Sequence, residues 1–91
     1  MKNHKTLITP NLLNRYRAFR HFSDGHFEEI KTDGLRITIY FDKFKPLVNL
    51  EYQMPESKLV LGVRVITRVN SVNCMQDLKL LYYAINGETL S

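Results

Sequence analysis

The sequence contains one cysteine, no tryptophan and no long apolar run. The single cysteine, Cys74, cannot form an internal disulfide and cannot build a cysteine-rich zinc site. A membrane-spanning helix needs about 20 consecutive apolar residues, and a signal peptide needs a shorter apolar stretch near the N-terminus. The sequence shows neither pattern, so a secreted disulfide scaffold and a membrane protein are not expected. The expected compartment is the cytoplasm.

Acidic residues are absent from the first quarter of the chain. Residues 1–23 hold five basic residues and no acidic one, whereas residues 24–91 hold eight basic and nine acidic residues. The net charge of +4 therefore arises in the N-terminal quarter. The basic residues there are Lys2, Lys5, Arg15, Arg17 and Arg20. Such asymmetry is typical of contact with a nucleic acid or another polyanion, although a solvated surface can have the same composition.

The chain is short, which limits the size of its core. Its 91 residues predict a single domain over residues 1–91. Hydrophobic residues make up 44% of the sequence and charged residues 24%, which favours a folded chain over a disordered one. Because a core of this size is marginal alone, a homo-oligomer or a complex with a partner is expected. Residues 1–8 are predicted to form a flexible basic arm.

Helix signals occur near both ends of the chain. Thr9 is a favourable N-cap and Pro10 a favourable first residue, so the first helix is predicted to begin there. Its apolar stripe consists of Leu12, Tyr16 and Phe19, with Phe22 at the edge. Gly25 is predicted to follow its C-terminus. A second helix is predicted from a capping Asn73 to Gly87.

Between the helices, apolar and polar residues alternate as they do in strands. Strands are predicted over 35–42, 47–53 and 59–70, and a shorter run at 27–31 is ambiguous. The core-facing residues of these strands include Leu35, Ile37, Ile39, Phe41, Leu61, Val63 and Val65. The sequence therefore predicts an α+β domain. In it, a three- to four-stranded antiparallel sheet is flanked by an N-terminal and a C-terminal helix as a two-layer sandwich.

The second face of the predicted sheet carries arginines and an aromatic residue. Arg36, Thr38 and Tyr40 alternate with the core residues of one strand, and Arg64 and Arg68 do so in another. These side chains share one face if the strands pair as a meander. Arginines bind phosphates and aromatic rings stack on bases, so the pattern fits a nucleic-acid platform. A solvated sheet face is the alternative interpretation.

His21, Asp24 and His26 are residue types that ligate metals or transfer protons. Their spacing matches no recognised metal motif, so neither a metal nor a cofactor is expected. The same residues could serve as an acid–base pair in a small ribonuclease, with an arginine to stabilise the charged phosphate. Their geometry decides whether they act together.

The expected function is that of a small basic nucleic-acid-binding accessory protein, with RNA or a single strand as its target. The expected binding residues are Arg15, Arg17, Arg20, Arg36, Tyr40, Arg64 and Arg68. The alternative is a small protein, of the type that phages and mobile elements encode, that binds a host protein and inhibits or redirects it. No catalytic motif is present, so an enzyme is not expected, although a ribonuclease-like activity stays open.

Overall fold

In the computed structural model, residues 5–31, 34–53 and 64–91 are described. The elements are α1 (Pro10–Leu13), β1 (Phe19–His21), β2 (Phe27–Glu29), β3 (Gly34–Asp42), β4 (Lys45–Gln53), β5 (Arg64–Arg68) and α2 (Met75–Asn86). The strands form one antiparallel sheet in the order β1-β2-β3-β4-β5. The predicted α+β class is confirmed, but the described residues form a sheet of five strands rather than three or four. Of the predicted strand 59–70, residues 59–63 lie outside the described residues.

The first helix begins where predicted but ends after one turn. The Thr9 hydroxyl accepts a hydrogen bond from the Leu12 N–H at 3.2 Å, and Pro10 occupies the first turn. The N–H of Arg15 then donates to the Leu12 carbonyl, three residues back, and this tighter spacing ends the α-helix. The predicted continuation of this helix to Phe22 is wrong, because residues 19–21 pair with β2 instead.

The segment that was expected to end a helix forms the loop of a β-hairpin. The N–H of Phe22 bonds to the His26 carbonyl at 2.9 Å, and the Gly25 N–H bonds back to the Phe22 carbonyl. Gly25 has a φ of +97°, which a residue with a side chain rarely adopts. A three-residue loop that ends in such a glycine is a common hairpin connection. Gly25 therefore lies in a hairpin loop rather than at the predicted helix end.

The core lies between one face of the sheet and α2. Buried residues of the strands and of α2 form one cluster, and it includes Phe19, Phe27, Ile37, Ile39, Val48, Met75, Leu78 and Tyr82. Met75, Leu78 and Tyr82 of α2 face this cluster, and the helix ends at the predicted Gly87, which has a φ of +72°. The N-cap is Cys74 rather than the predicted Asn73, whose backbone N–H donates to Asp77 Oδ2 at 3.1 Å. Neither described helix has the length and apolarity needed to cross a membrane.

The N-terminal segment is attached to α2, at least from Thr6 onward. The Thr6 carbonyl accepts the Met75 N–H at 2.8 Å, and the Thr6 N–H donates to Gln76 Oε1 at 3.2 Å. Ile8 is only 1% exposed and belongs to the core cluster. The predicted flexible arm over residues 1–8 is therefore wrong for residues 6–8, whereas residues 1–4 lie outside the described residues.

One cross-strand row of the core-facing side is exposed, and we call it the apolar row. It consists of Leu35, Tyr52 and Val65, which lie side by side on β3, β4 and β5. Their exposed fractions are 40%, 39% and 52%. Leu35 and Val65 were expected in the core, and this is wrong because the buried cluster is centred on the rows of Ile37 and Ile39. The predicted core residues Leu61 and Val63 lie outside the described residues.

Candidate functional site

The face of the sheet opposite the core carries the predicted platform, and we call it the polar face. Strand register places on it Arg20, Glu28, Arg36, Thr38, Tyr40, Asn49, Glu51, Ile66 and Arg68. Arg36, Tyr40 and Arg68 thus share one face, as the alternation predicts. The backbone of Arg64 is part of β5, opposite Gln53, but its side chain lies outside the described part of the structure.

Arg36 occupies the centre of the polar face, between two carboxylates. Its Nη1 lies 3.2 Å from Glu28 Oε1 on β2, and its Nε lies 3.9 Å from Glu51 Oε1 on β4. The side chain is only 16% exposed. A guanidinium held between neighbouring strands stabilises their pairing and is poorly placed to receive a phosphate.

Arg68 lies on β5, the last strand of the sheet within the described residues, and is exposed. Its Nε donates to Asn49 Oδ1 at 2.6 Å, and the two residues are directly opposite each other in the register. This contact fixes the orientation of the guanidinium, whose terminal N–H groups can still approach an anion. Arg68 is therefore better placed than Arg36 to contact a phosphate.

Three rings stack into a column on the polar face. The His26 ring lies between Phe22 and Tyr40, with centroid distances of 4.6 Å to each. The interplanar angles are 8° and 11°, so the three rings are nearly parallel. Sequence reasoning missed this column because it placed Phe22 in a helix. The available signal was the Asp24-Gly25 pair, which is typical of a hairpin that brings Phe22 opposite His26.

Both nitrogens of His26 contact carboxylates. Nδ1 is paired with Asp24 Oδ1, and Nε2 lies 2.8 Å from Glu28 Oε2. Burial lowers the pKa of His26, but the hydrogen bonds to Glu28 and Asp24 outweigh burial, so the pKa is raised overall. The backbone N–H and then the ring of His26 lower the pKa of Asp24. The geometry therefore favours an imidazolium sandwiched between two aromatic rings, which adds cation–π attraction.

This arrangement leaves His26 unable to act on a substrate without rearrangement. Its two nitrogens are occupied, and both of its ring faces are covered. His21 lies on the opposite face of the sheet, where it stacks on Phe27 at 4.4 Å. Within residues 5–31, 34–53 and 64–91, no group of His, Cys, Asp and Glu residues is arranged to hold a metal ion. The structure thus separates His21 from Asp24 and His26.

Arg15, Arg17 and Arg20 are all exposed and lie between α1 and the end of β1. No ion pair or side-chain hydrogen bond is found for any of the three among the described residues. Arg20 is opposite Glu28 in the register and lines a shallow cleft of about 180 Å³ together with Phe22 and Arg36. These three arginines are therefore exposed members of the predicted set, as Arg68 is.

Sequence reasoning also missed the tip of the β3–β4 hairpin, which it treated only as a turn. Phe44 at this tip is 97% exposed, and Lys43 has a φ of +60°. Lys45 begins β4 on the other side of Phe44. An aromatic residue between two lysines was the available signal, because that combination recurs in nucleic-acid-binding surfaces.

Comparison of the chain with protein-family models, with curated proteins and with solved structures finds no match. The class of the protein is therefore defined by its fold, an antiparallel sheet covered on one face by a C-terminal helix. The exposed arginines, the ring column and the hairpin tip are the features of this fold that bear on its function.

Proposed function

We propose that the protein binds single-stranded nucleic acid, either RNA or DNA, as a small accessory protein without catalytic activity. The observation that carries this proposal is the exposure of Arg15, Arg17 and Arg20 within six residues of chain. No acidic residue lies in the first 23 positions, and Glu28 is opposite Arg20 in the strand register. Arginines in such a setting bind phosphates and release counterions from the nucleic acid, which drives association.

Tyr40 supplies a stacking surface for a base on the same side of the sheet as Arg20. Its side chain is 41% exposed, and its packing against His26 restrains the ring. A ring that is already ordered loses little entropy when a base stacks on it, and such stacking contributes about 1–3 kcal/mol per base. Arg68 adds positive charge on β5.

The helices favour a single strand over the major groove of a duplex. α1 is one turn long, and α2 contains a single basic residue, Lys79. A duplex reader of the common type inserts an exposed helix into the major groove. A sheet face with arginines and an exposed ring is instead typical of proteins that stack unpaired bases.

The proposal is tested by fluorescence anisotropy with labelled single-stranded RNA and DNA at several salt concentrations. Wild-type affinity is expected to fall steeply as salt rises. Replacing Arg17 by Ala is expected to weaken binding to all sequences alike and to reduce the salt slope by about one unit. Lys79→Ala is the matched control, because it removes one exposed positive charge from α2. The control is expected to bind like the wild type.

Absence of binding to either nucleic acid at low salt would contradict the proposal. Equal losses in Arg17→Ala and Lys79→Ala would also contradict the assigned surface, because they would indicate attraction by net charge alone.

A second candidate is the binding of a host protein, as small phage or mobile-element proteins do, to inhibit or redirect it. The observation that favours it is the apolar row, in which Leu35, Tyr52 and Val65 are exposed side by side. Adjacent exposed apolar residues are typical of protein interfaces. This candidate predicts that Tyr52→Lys abolishes recovery of a specific host protein by the immobilised chain, while Arg17→Ala leaves recovery unchanged.

A further inference from the structure

Two adjacent residues at the tip of the β3–β4 hairpin are in energetically unfavourable states. Lys43 adopts a φ of +60°, which is unfavourable for a residue with a side chain. Phe44 leaves 97% of its surface in water, although a phenylalanine is usually buried. A two-residue hairpin loop requires a positive φ at its first position, so the turn accounts for the conformation of Lys43 but not for the exposure of Phe44.

Phe44 has an apolar groove on one side, and its two neighbours in the sequence, Lys43 and Lys45, are positively charged. A groove of about 430 Å³ runs beside the ring, with Leu7, Pro10, Phe41 and Pro46 among its walls. Among the described residues, Lys43 is the only charged one that lines this groove. Lys45 is exposed and follows Phe44, and the carboxylate that precedes the tip, Asp42, is opposite Lys45 in the hairpin register.

We propose that this tip binds an unstacked base of a single-stranded nucleic acid. Phe44 stacks on the base, and Lys43 and Lys45 contact the phosphates on either side of it. The inference rests on the proposed function, and it adds a second stacking position to that of Tyr40. It also explains why an exposed ring lies between two lysines, since a nucleotide strand carries a flat apolar base between two anions.

A nucleic-acid base fits the exposed ring and its two lysines better than an apolar peptide segment does. At 97% exposure, both faces of the Phe44 ring are open, as stacking requires. Burying Phe44 in a protein interface would remove water from the two adjacent lysines, and that desolvation is costly unless each meets an acidic partner. A strand of nucleotides provides an anion at every step without a special sequence.

The absence of tryptophan makes a direct test possible. The Phe44→Trp variant contains the only tryptophan of the chain, at the proposed contact. Its fluorescence is expected to be quenched when oligothymidine binds. An oligomer of the same length with abasic positions keeps the phosphates but offers no base, so quenching should be lost. Tyr83→Trp is the control, because Tyr83 is 58% exposed on α2 and away from the tip, and it should not be quenched.

Affinity gives an independent measure of the same contact. Phe44→Leu keeps an apolar side chain but removes the aromatic face, and it should weaken oligothymidine binding by roughly 5- to 150-fold. The slope of affinity against salt should not change, because no phosphate contact is lost. Phe44→Tyr should bind like the wild type. All variants should keep the wild-type melting temperature, since the ring contributes almost no buried surface.

Failure of the inference is distinguishable from failure of the proposed function. If oligothymidine binds the wild type, while Phe44→Leu binds it equally and the Phe44→Trp variant is not quenched, the inference is overturned and the arginine surface stands. If no oligonucleotide binds the wild type, both the inference and the proposed function are contradicted. If an acidic peptide with phenylalanine residues changes the emission of the Phe44→Trp variant and oligothymidine does not, the tip binds a protein segment instead.

Discussion

The side-chain amide of Asn86, at the end of α2, donates a hydrogen bond to Glu29 Oε2 on β2 over 2.9 Å. The other oxygen of Glu29 accepts the backbone N–H of Ile37 at 3.1 Å, and Lys31 Nζ lies 3.5 Å from the carboxylate. Glu29 is only 4% exposed. One buried carboxylate therefore connects the helix to β2 and satisfies a backbone donor of β3.

Replacing Glu29 by Ala is expected to destabilise the fold. The Ile37 N–H and the Asn86 amide would both lose their acceptor, and leaving a buried donor unsatisfied costs about 1–3 kcal/mol. Denaturant unfolding measures the change in the free energy of unfolding. Glu88→Ala is the control, because Glu88 is exposed and its one side-chain contact with a described residue is a 3.5 Å hydrogen bond from Tyr82. Equal effects of the two substitutions would contradict the assigned role of Glu29.

Two residues on the same side of β3, one buried and one exposed, allow a matched pair of substitutions. Ile37 is fully buried, so Ile37→Ala should lower the free energy of unfolding by about 2–5 kcal/mol. Leu35 is on the same side of the strand but 40% exposed, so Leu35→Ala should cost only about 1 kcal/mol. Thermal or denaturant unfolding of both variants tests the register. A larger loss for Leu35→Ala would show that the register is shifted.

Residues 14–22 show why part of the fold could not be predicted from the sequence. The spacing of Leu12, Tyr16 and Phe19 suits a helical stripe, and all three do contact the core. The spacing predicts which side chains turn inward, but it does not distinguish a helix from a turn followed by a short strand. What decides the conformation is the pairing of β1 with β2, which depends on residues further along the chain. By contrast, the alternation of β3 and β4 predicted their faces, because each strand is long.

The candidate site was predicted in part for a similar reason. Sequence alternation places Arg36 and Tyr40 on one face, but it does not reveal that Glu28 and Glu51 flank Arg36 from neighbouring strands. Such contacts depend on register between strands. The exposure of Phe44 was equally hidden, because a turn with a phenylalanine can fold it inward or outward.

The ion pairs of His26 predict a pH dependence of stability. The pKa of His26 is raised in the folded state, so its contribution is fully present below its ordinary value of 6.5 and is lost as pH rises through the folded-state value. The pKa of Asp24 is lowered, so its contribution is present above its ordinary value of 3.8 and is lost as pH falls through the folded-state value. The two together stabilise the β1–β2 hairpin most in weakly acidic solution.

The measurement is the melting temperature as a function of pH, for the wild type and for His26→Gln. The wild type should lose stability as pH rises through neutrality, and His26→Gln should lose less over the same interval, because the imidazolium pairs are absent. His21→Gln is the control, because His21 stacks on Phe27 on the other face. Identical pH profiles for the wild type and His26→Gln would contradict an imidazolium between the two carboxylates.

The apolar row predicts self-association of the chain. A contact between two copies would remove Leu35, Tyr52 and Val65 from water, and the favourable free energy scales with the apolar area buried. Light scattering should show a molar mass above that of one chain, increasing with concentration. Val65→Lys should give the monomer mass. Leu80→Lys is the control, because Leu80 is 71% exposed on α2, and it should associate like the wild type.

Arg20 and Arg36 face the same side of the sheet but should behave differently when replaced. Arg20 is exposed, so Arg20→Ala should leave the melting temperature unchanged, weaken binding to all oligonucleotides alike and reduce the salt slope by about one unit. Arg36 lies between Glu28 and Glu51, and its removal leaves two carboxylates without their shared cation. Arg36→Ala should therefore lower the free energy of unfolding by about 1–3 kcal/mol. The variant molecules that remain folded should bind nucleic acid with the wild-type dependence of affinity on salt.

Anisotropy titrations at several salt concentrations, together with unfolding curves, separate these two effects. Arg36→Lys is the control for charge, because a lysine keeps the cation but cannot bridge two carboxylates with a planar guanidinium. It should recover part of the lost stability. If Arg36→Ala reduced the salt slope as much as Arg20→Ala, the guanidinium of Arg36 would leave Glu28 to contact phosphate when nucleic acid binds. The polar face would then be the main binding surface, rather than the segment that leads into β1.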